Sequence, residues 1–209
     1  MTATGTAAVA QAANVIASIT AVPEQLSANA ADNALELVTS LTAGLSTRGV
    51  EFEGAIGSLA DVMSNLVQAS TSQSVDSTSQ DQFHNDSAAM KRSVAVGSVV
   101  ESLSSSLAGD MVPGEEEKTI ATHSFAMMVQ SEHPDAFAGK TIGGGRVVCP
   151  SSGLPSPSGQ PASAKVVAWA GAGPLSWAAG QSVAGDNSTL ASPIISVSFV
   201  DSSDGSTIN

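Results

Sequence analysis

The residues that could do chemistry are few and far apart. His123-Ser124 sets a base beside a nucleophile. In an extended strand, neighbours point to opposite faces, so the two do not readily share a hydrogen bond and read as ordinary strand residues. His84, His123 and His133 lack the spacing of zinc ligands. Glu115, Glu116 and Glu117 form an acidic run that, with Asp110, would offer weak Ca²⁺ contacts; a solvated edge is the simpler reading. Asp201 and Asp204 flank a turn without EF-hand spacing and read as turn supports. Gly143-Gly144-Gly145 lacks the following Lys-Ser/Thr of a phosphate-binding loop and opens no helix, so it is turn chemistry. Cys149, the single cysteine, sits beside Pro150 without a placeable His and reads as a buried or free thiol, able to pair with another chain. No catalytic, cofactor-binding or metal-binding residue is assigned.

Two sequons are the site residues that stand out. Asn85-Asp86-Ser87 and Asn187-Ser188-Thr189 both fall in a predicted loop or at a helix start, where glycans are accepted. Trp169 and Trp177 flank a Gly/Pro turn and read as large core fillers for an interior of small side chains.

Composition bounds what these residues can serve. Seven Lys+Arg stand against 19 Asp+Glu in 209 residues, a net charge of −12. Nucleic-acid binding needs a Lys/Arg footprint that this chain lacks, and docking on anionic lipid is disfavoured for the same reason. A mean hydropathy of +0.17 with 12% charged residues is not that of a disordered acidic tail. Aromatics are 3% and Tyr is absent, so Ala, Val, Leu, Ile and Met must build the core. Small side chains bury little area each, at about 25 cal/mol per Å², which implies modest stability per residue. No run of about 18 or more apolar residues exists to span a membrane. The first twenty residues carry no basic segment and read as an amphipathic helix, not a leader.

The elements that would position these residues divide by proline. Eight of the nine prolines fall from Pro113 onward. Proline is costly inside helices and tolerated in turns and strand edges, so the switch from helix to strand belongs near Gly109–Pro113. Ala7, Ala10, Val15, Ile16 and Ile19 predict a first helix ending before Pro23. Pro23-Glu24 restarts the chain, and Leu26, Ala30, Ala34, Leu37, Val38, Leu41 and Leu45 predict a second, with a new cap at Asp32. Phe52 to Val67 predicts a third, weakened at its start by Gly54 and Gly57. Residues 69–81 read as a Ser/Thr/Gln linker. Asp86 to Leu107 predicts a fourth helix, capped by Gly109. Strands follow over Thr119–Gln130, Thr141-Ile142, Arg146–Val148, Lys165–Trp169 and Pro193–Val200, with a further one near Leu175–Ala179. Loops fill Ser131–Gly139 and 149–163. An Asp/Gly turn at Asp201–Gly205 should lead to a partner strand at Ser206-Thr207-Ile208, with the chain expected to continue beyond it.

This order resembles a known family. Leu/Ala-rich helices are followed by MVPGEEEKTIATHSFAMMVQ, DAFAGKTI, KVVAWAGAGPLSWAAG and ASPIISVSFVDSSDGSTI. It is similar to the GPCR autoproteolysis-inducing (GAIN) domain as found with receptor-for-egg-jelly modules in polycystin-type receptors. Val112-Pro113-Gly114-Glu115 before the strand tip at Phe125, and Ser192-Pro193 before Ile195–Val200 and Asp204-Gly205, carry the likeness. The paired cysteines of the family's proteolysis site have no match here, so no autocleavage is assigned. The Ala/Ser/Gly-heavy style resembles green-algal proteins, in which large polycystin-like proteins sit on cilia.

The expected fold is α+β: an N-terminal helical bundle (1–110) packed on a C-terminal antiparallel β-sandwich (111–209). The resemblance implies a non-catalytic extracellular scaffold or adhesion module of a large polycystin-like surface protein, at the cell surface or ciliary membrane. Its partners would be neighbouring domains of the same long chain or other extracellular chains, with no nucleic acid, no direct membrane insertion and no cofactor. The alternative is a structural subunit of an extracellular filament or ciliary appendage; a hydrolase ranks last.

Overall fold

Apolar spacing of three and four residues, interrupted by proline, decides where the helices begin and end. A computed structural model describes residues 4–43, 45, 50–72, 86–154, 159–170, 194–201 and 207–208. α1 (Thr4–Ile19) turns Ala13 and Ile16 inward. Val15 and Ile19, expected on that stripe, are exposed, because Ala13, Ile16 and Thr20 set the inward line. The expected helix restart at Pro23 is a single 3-10 turn, Pro23–Gln25. α2 (Ala28–Ala43) begins after Ser27, whose hydroxyl accepts the Ala30 N–H at 3.3 Å. Ser27, not Asp32, is therefore its cap. Ala28, Ala31, Leu35, Val38 and Thr42 face inward, leaving Leu37 exposed.

α3 (Val50–Ser72) packs against α1 and α2. Its Ile56, Leu59, Met63 and Leu66 are all but fully buried. Each such side chain contributes about 1.5–3 kcal/mol relative to exposure. The helix runs on through residues 69–72, which composition gave to a linker; 73–81 lie outside the described residues. α4 (Asp86–Asp110) buries Val96, Val99, Val100, Leu103 and Leu107. Gly109 does not cap it: the helix continues to Asp110 and Gly109 keeps a negative φ. Gly97 lies inside α4 with nothing within 4 Å of where a Cβ would stand. Gly97→Ala should raise stability by about 0.5–1 kcal/mol by removing backbone freedom from the unfolded chain. Urea unfolding would check this, and a loss of stability would contradict it.

Two compact units divide the chain. The first comprises Met1–Leu103, Thr122–Phe125 and Trp169–Ile194; the second comprises Ser104–Ala121, Ala126–Ala168 and Ile195–Asn209. Thus α4 runs through the division. β1 (Lys118–Ala121) and β2 (Phe125–Glu132) form an antiparallel pair, Lys118 opposite Val129 and Ala121 opposite Ala126. One strand is expected over Thr119–Gln130, but the chain reverses at Thr122–Ser124. Thr122 closes that turn: its N–H donates to the Phe125 carbonyl at 2.8 Å, and its hydroxyl accepts the Phe125 N–H at 3.1 Å. β2 extends to Glu132, and a 3-10 turn, Pro134–Phe137, follows where a loop is expected.

β3 (Thr141–Ile142) and β4 (Val147–Val148) form the hairpin predicted around the three glycines. β5 (Ala162–Trp169) pairs with β2, and β6 (Ile194–Asp201) completes the order β1-β2-β5-β6. Ser163 meets Ser131 at 3.3 Å and Ala170 donates to Ser124 at 2.8 Å, so β5 runs antiparallel to β2. All eight β5 residues are buried, which covers both faces of the sheet at its centre. On one face Ala162, Ala164 and Val166 join Met128, Phe137, Ile142 and Cys149 in an apolar core. On the other, Lys165 Nζ donates to Ser105 Oγ of α4 at 2.9 Å. On β6, Phe199 packs onto the apolar core while Ile195 and Val197 are exposed. Thr207 pairs antiparallel with Val200, and the Ile208 N–H donates to the Phe199 carbonyl at 2.9 Å, as the predicted hairpin requires. Helices first and an antiparallel sheet after them make the chain α+β.

Candidate functional site

The hairpin turn between β1 and β2 brings His123 and Ser124 to the helices of the first unit. Ser124 is not the strand residue that alternation predicts; its place in a turn lets it meet α3 directly. Its N–H donates to Ser64 Oγ at 3.0 Å, and its own hydroxyl donates to the Ser64 carbonyl at 3.0 Å. Ser64 Oγ donates in turn to Ser124 Oγ at 3.1 Å. Ser124 is 4% exposed and Ser64 3%, so this is a dry, reciprocal clamp between helix and turn. A buried hydroxyl bonded on both sides is satisfied, and its own proton goes to the Ser64 carbonyl, not to His123. His123 is exposed at the rim of a polar groove of about 590 Å³, lined also by Asn14, Asp61, Asn65 and Gln68. Next to the clamp, Phe125 stacks obliquely on Trp169, with ring centroids 4.9 Å apart at 49°. Trp169 is the core filler that its sequence position suggests; Trp177 lies outside the described residues.

The acidic run serves structure rather than an ion. Glu117 accepts the Gly143 N–H at 2.7 Å and the Gly144 N–H at 3.2 Å, so one carboxylate holds the glycine turn. Charge-assisted bonds of this kind are about twice as strong as neutral ones. Glu115 accepts the Val112 N–H at 3.0 Å, and that bond lowers its pKa below the usual carboxylate range, with Lys118 nearby adding to the effect. Lys118 Nζ lies 3.5 Å from both Glu115 and Asp110. Arg146 in the glycine turn donates to the Gly143 carbonyl at 3.1 Å. Glu132 pairs with Lys140 at 2.5 Å.

Cys149 is 3% exposed within the apolar core, which leaves the folded chain no thiol to offer a partner. Burial raises its pKa, and the opposing pull of Lys140 does not cancel that. The folded state thus keeps a proton that the unfolded thiol releases near pH 8.5. Its contribution to stability is present below that pH and is lost as pH rises through the raised folded value. The thiol should react with a disulfide reagent many times faster in guanidinium than in buffer; rapid stoichiometric reaction of the native protein would contradict the buried placement.

His133 is exposed ahead of the Pro134–Phe137 turn, and Asp201 is buried at the end of β6. His84, Asn85, Asn187 and Asp204 lie outside the described residues. Among the described residues, no group of three or more His, Cys, Asp or Glu side chains gathers as a metal site would. No helix among them is long and apolar enough to cross a membrane. The residues missed by local reading are Ser64 and Arg92, and Asp32, expected as a helix cap, has another role. Arg92 grips Asp32 through Nε at 2.6 Å and Nη2 at 2.8 Å, across 60 positions of sequence. Compared with known proteins, the chain matches no family model and no curated sequence.

Proposed function

We propose that this chain is a non-catalytic extracellular scaffold and adhesion module, GAIN-like in character, of a large polycystin-like surface protein, with the ciliary membrane as its setting. The observation that carries this reading is how the reactive side chains are used. Ser124 is locked to Ser64, Cys149 is sealed in the core, Glu117 holds the glycine turn and Glu115 caps Val112. Groups committed to the fold suit a building block, because catalysis needs a nucleophile or base free to meet substrate. The resemblance adds support at Val112-Pro113-Gly114-Glu115. There Gly114 takes a φ of 87°, and its N–H donates to the Ser131 carbonyl at 2.8 Å, tying the entry turn to β2.

A second reading, a subunit of an extracellular filament or ciliary appendage, is favoured by β6. It ends the order of the named strands, meets residues 207–208 at Phe199 and Val200, and exposes Ile195 and Val197 toward its other end, features that invite strand pairing between chains. Surface labelling of intact producing cells with a membrane-impermeant biotin reagent tests the shared premise. The expected result is labelled protein before lysis, recovered as part of a membrane-anchored chain for the receptor or as a sedimenting polymer for the filament. Labelling only after lysis would overturn both.

A further inference from the structure

A polar groove of about 590 Å³ lies between α1 and α3 of the first unit, with His123 of the β1–β2 turn at its rim. α1 supplies Asn14, and α3 supplies Asp61 and Asn65, four residues apart and so on one face of the helix. Ala17 and Ala21 add a small apolar surface. The fold fixes both amides. Ser58 Oγ donates to Asn14 Oδ1 at 2.6 Å, which leaves the Asn14 amide N–H groups for a ligand. Asn65 Nδ2 donates at 3.3 Å to the hydroxyl of the buried Thr20, which leaves the Asn65 carbonyl oxygen. Among the described residues, the side chains of Asp61 and His123 make no hydrogen bond or ion pair. The groove thus gathers an amide donor, two oxygen acceptors and an imidazole with both capacities.

We propose that this groove binds a neutral sugar, one pyranose ring at a time. Each sugar hydroxyl donates and accepts at once, so neighbouring hydroxyls match donors and acceptors set side by side. The C–H face of the ring would rest on Ala17 and Ala21. An anion would meet the Asp61 carboxylate on a chain of net charge −12. A hard divalent cation needs several ligands together, and no group of three or more His, Cys, Asp or Glu gathers among the described residues. An apolar ligand would strip water from these polar groups without replacing its hydrogen bonds. A free sugar and the end of a glycan share the chemistry that fits. The site rests on the groove alone and stands whether or not the chain is extracellular.

Titration of the full chain with glucose, galactose and mannose, followed by NMR, tests it. At least one should bind with a Kd of roughly 1 mM and shift the signals of Asn14, Asp61, Asn65 and His123. Asp61→Ala should weaken that binding by about tenfold, as loss of one hydrogen bond to a charged group does. His123→Ala should weaken it severalfold. Both residues are exposed, so unchanged circular dichroism melts should separate lost binding from lost folding. The uronate of the sugar that binds best should bind more weakly than the sugar itself. A methyl glycoside that binds equally well would support the site with glycan ends as its source; binding lost on methylation would support it with the free sugar. No saturation by any of the three up to about 0.1 M, equal binding of the uronate, or binding that neither variant weakens would each overturn the proposal.

Discussion

Phe137→Ala should cost about 3–5 kcal/mol, a large share of the stability of a domain of ordinary size. Phe137 is 0% exposed and is the largest fully buried side chain among the described residues. Its ring meets Phe199 of β6 edge-on, with centroids 6.0 Å apart at 78°. The core cluster that holds it contains the small or flexible Ala162, Ala164, Cys149 and Met128 beside the bulkier Ile142, Leu154 and Val166, all buried in fixed places. Such residues cannot swell into the space that a ring leaves, so a cavity should persist and its penalty should be paid nearly in full. Phe137→Leu should recover more than half of the loss. Urea unfolding followed by circular dichroism would measure the drop, and Cys149 reactivity would report the same core locally. A loss below about 1 kcal/mol would show that Phe137 does not organise this core.

Gly143→Ala should be the second large effect, at about 2–4 kcal/mol. Gly143 sits at a φ of 65°, where a side chain is strained. An added Cβ would also stand 2.8 Å from Val166 Cγ1 and 3.1 Å from Val166 Cβ. Val166 is buried, short and branched, so it has no free end to swing away. The two causes can be separated. In a double-mutant cycle with Val166→Ala, the two Cγ contacts should vanish and only the 3.1 Å approach to the Cβ and the backbone strain stay, giving a favourable coupling of about 1 kcal/mol or more. Strict additivity would mean that the contact is not what limits the turn. Gly145, at a φ of 87° with open space around it, should show backbone strain alone when replaced by Ala.

Much of the helical half was legible because its signals are local. Three-and-four spacing over Phe52–Val67 and over Val96–Leu107 marks α3 and α4, and Pro113 marks where helix ceases. The Gly143–Gly145 hairpin was equally readable, since consecutive glycines permit the positive φ values it uses. Errors arose where a local pattern had two solutions. Asp32 looks like a cap because Asp caps helices, but Ser27 stands at the true boundary and Asp32 is taken by Arg92. Alternation at Phe125, Met127 and Val129 carried the strand back through His123, because Thr122 is a turn former with a weak sequence signal. What could not be read at all is long-range polar pairing. Ser64 with Ser124 and Glu117 with Gly143 join positions 60 and 26 residues apart. No period or spacing announces such pairs, and they decide that these side chains serve the fold.

Peptide mapping of the protein isolated from the cells that make it tests the extracellular building-block account most directly. N-linked sugar on Asn85 and Asn187, within peptides of a larger polypeptide recovered from the cell surface, is the predicted result. Unmodified asparagines in a cytosolic protein of this length would contradict it.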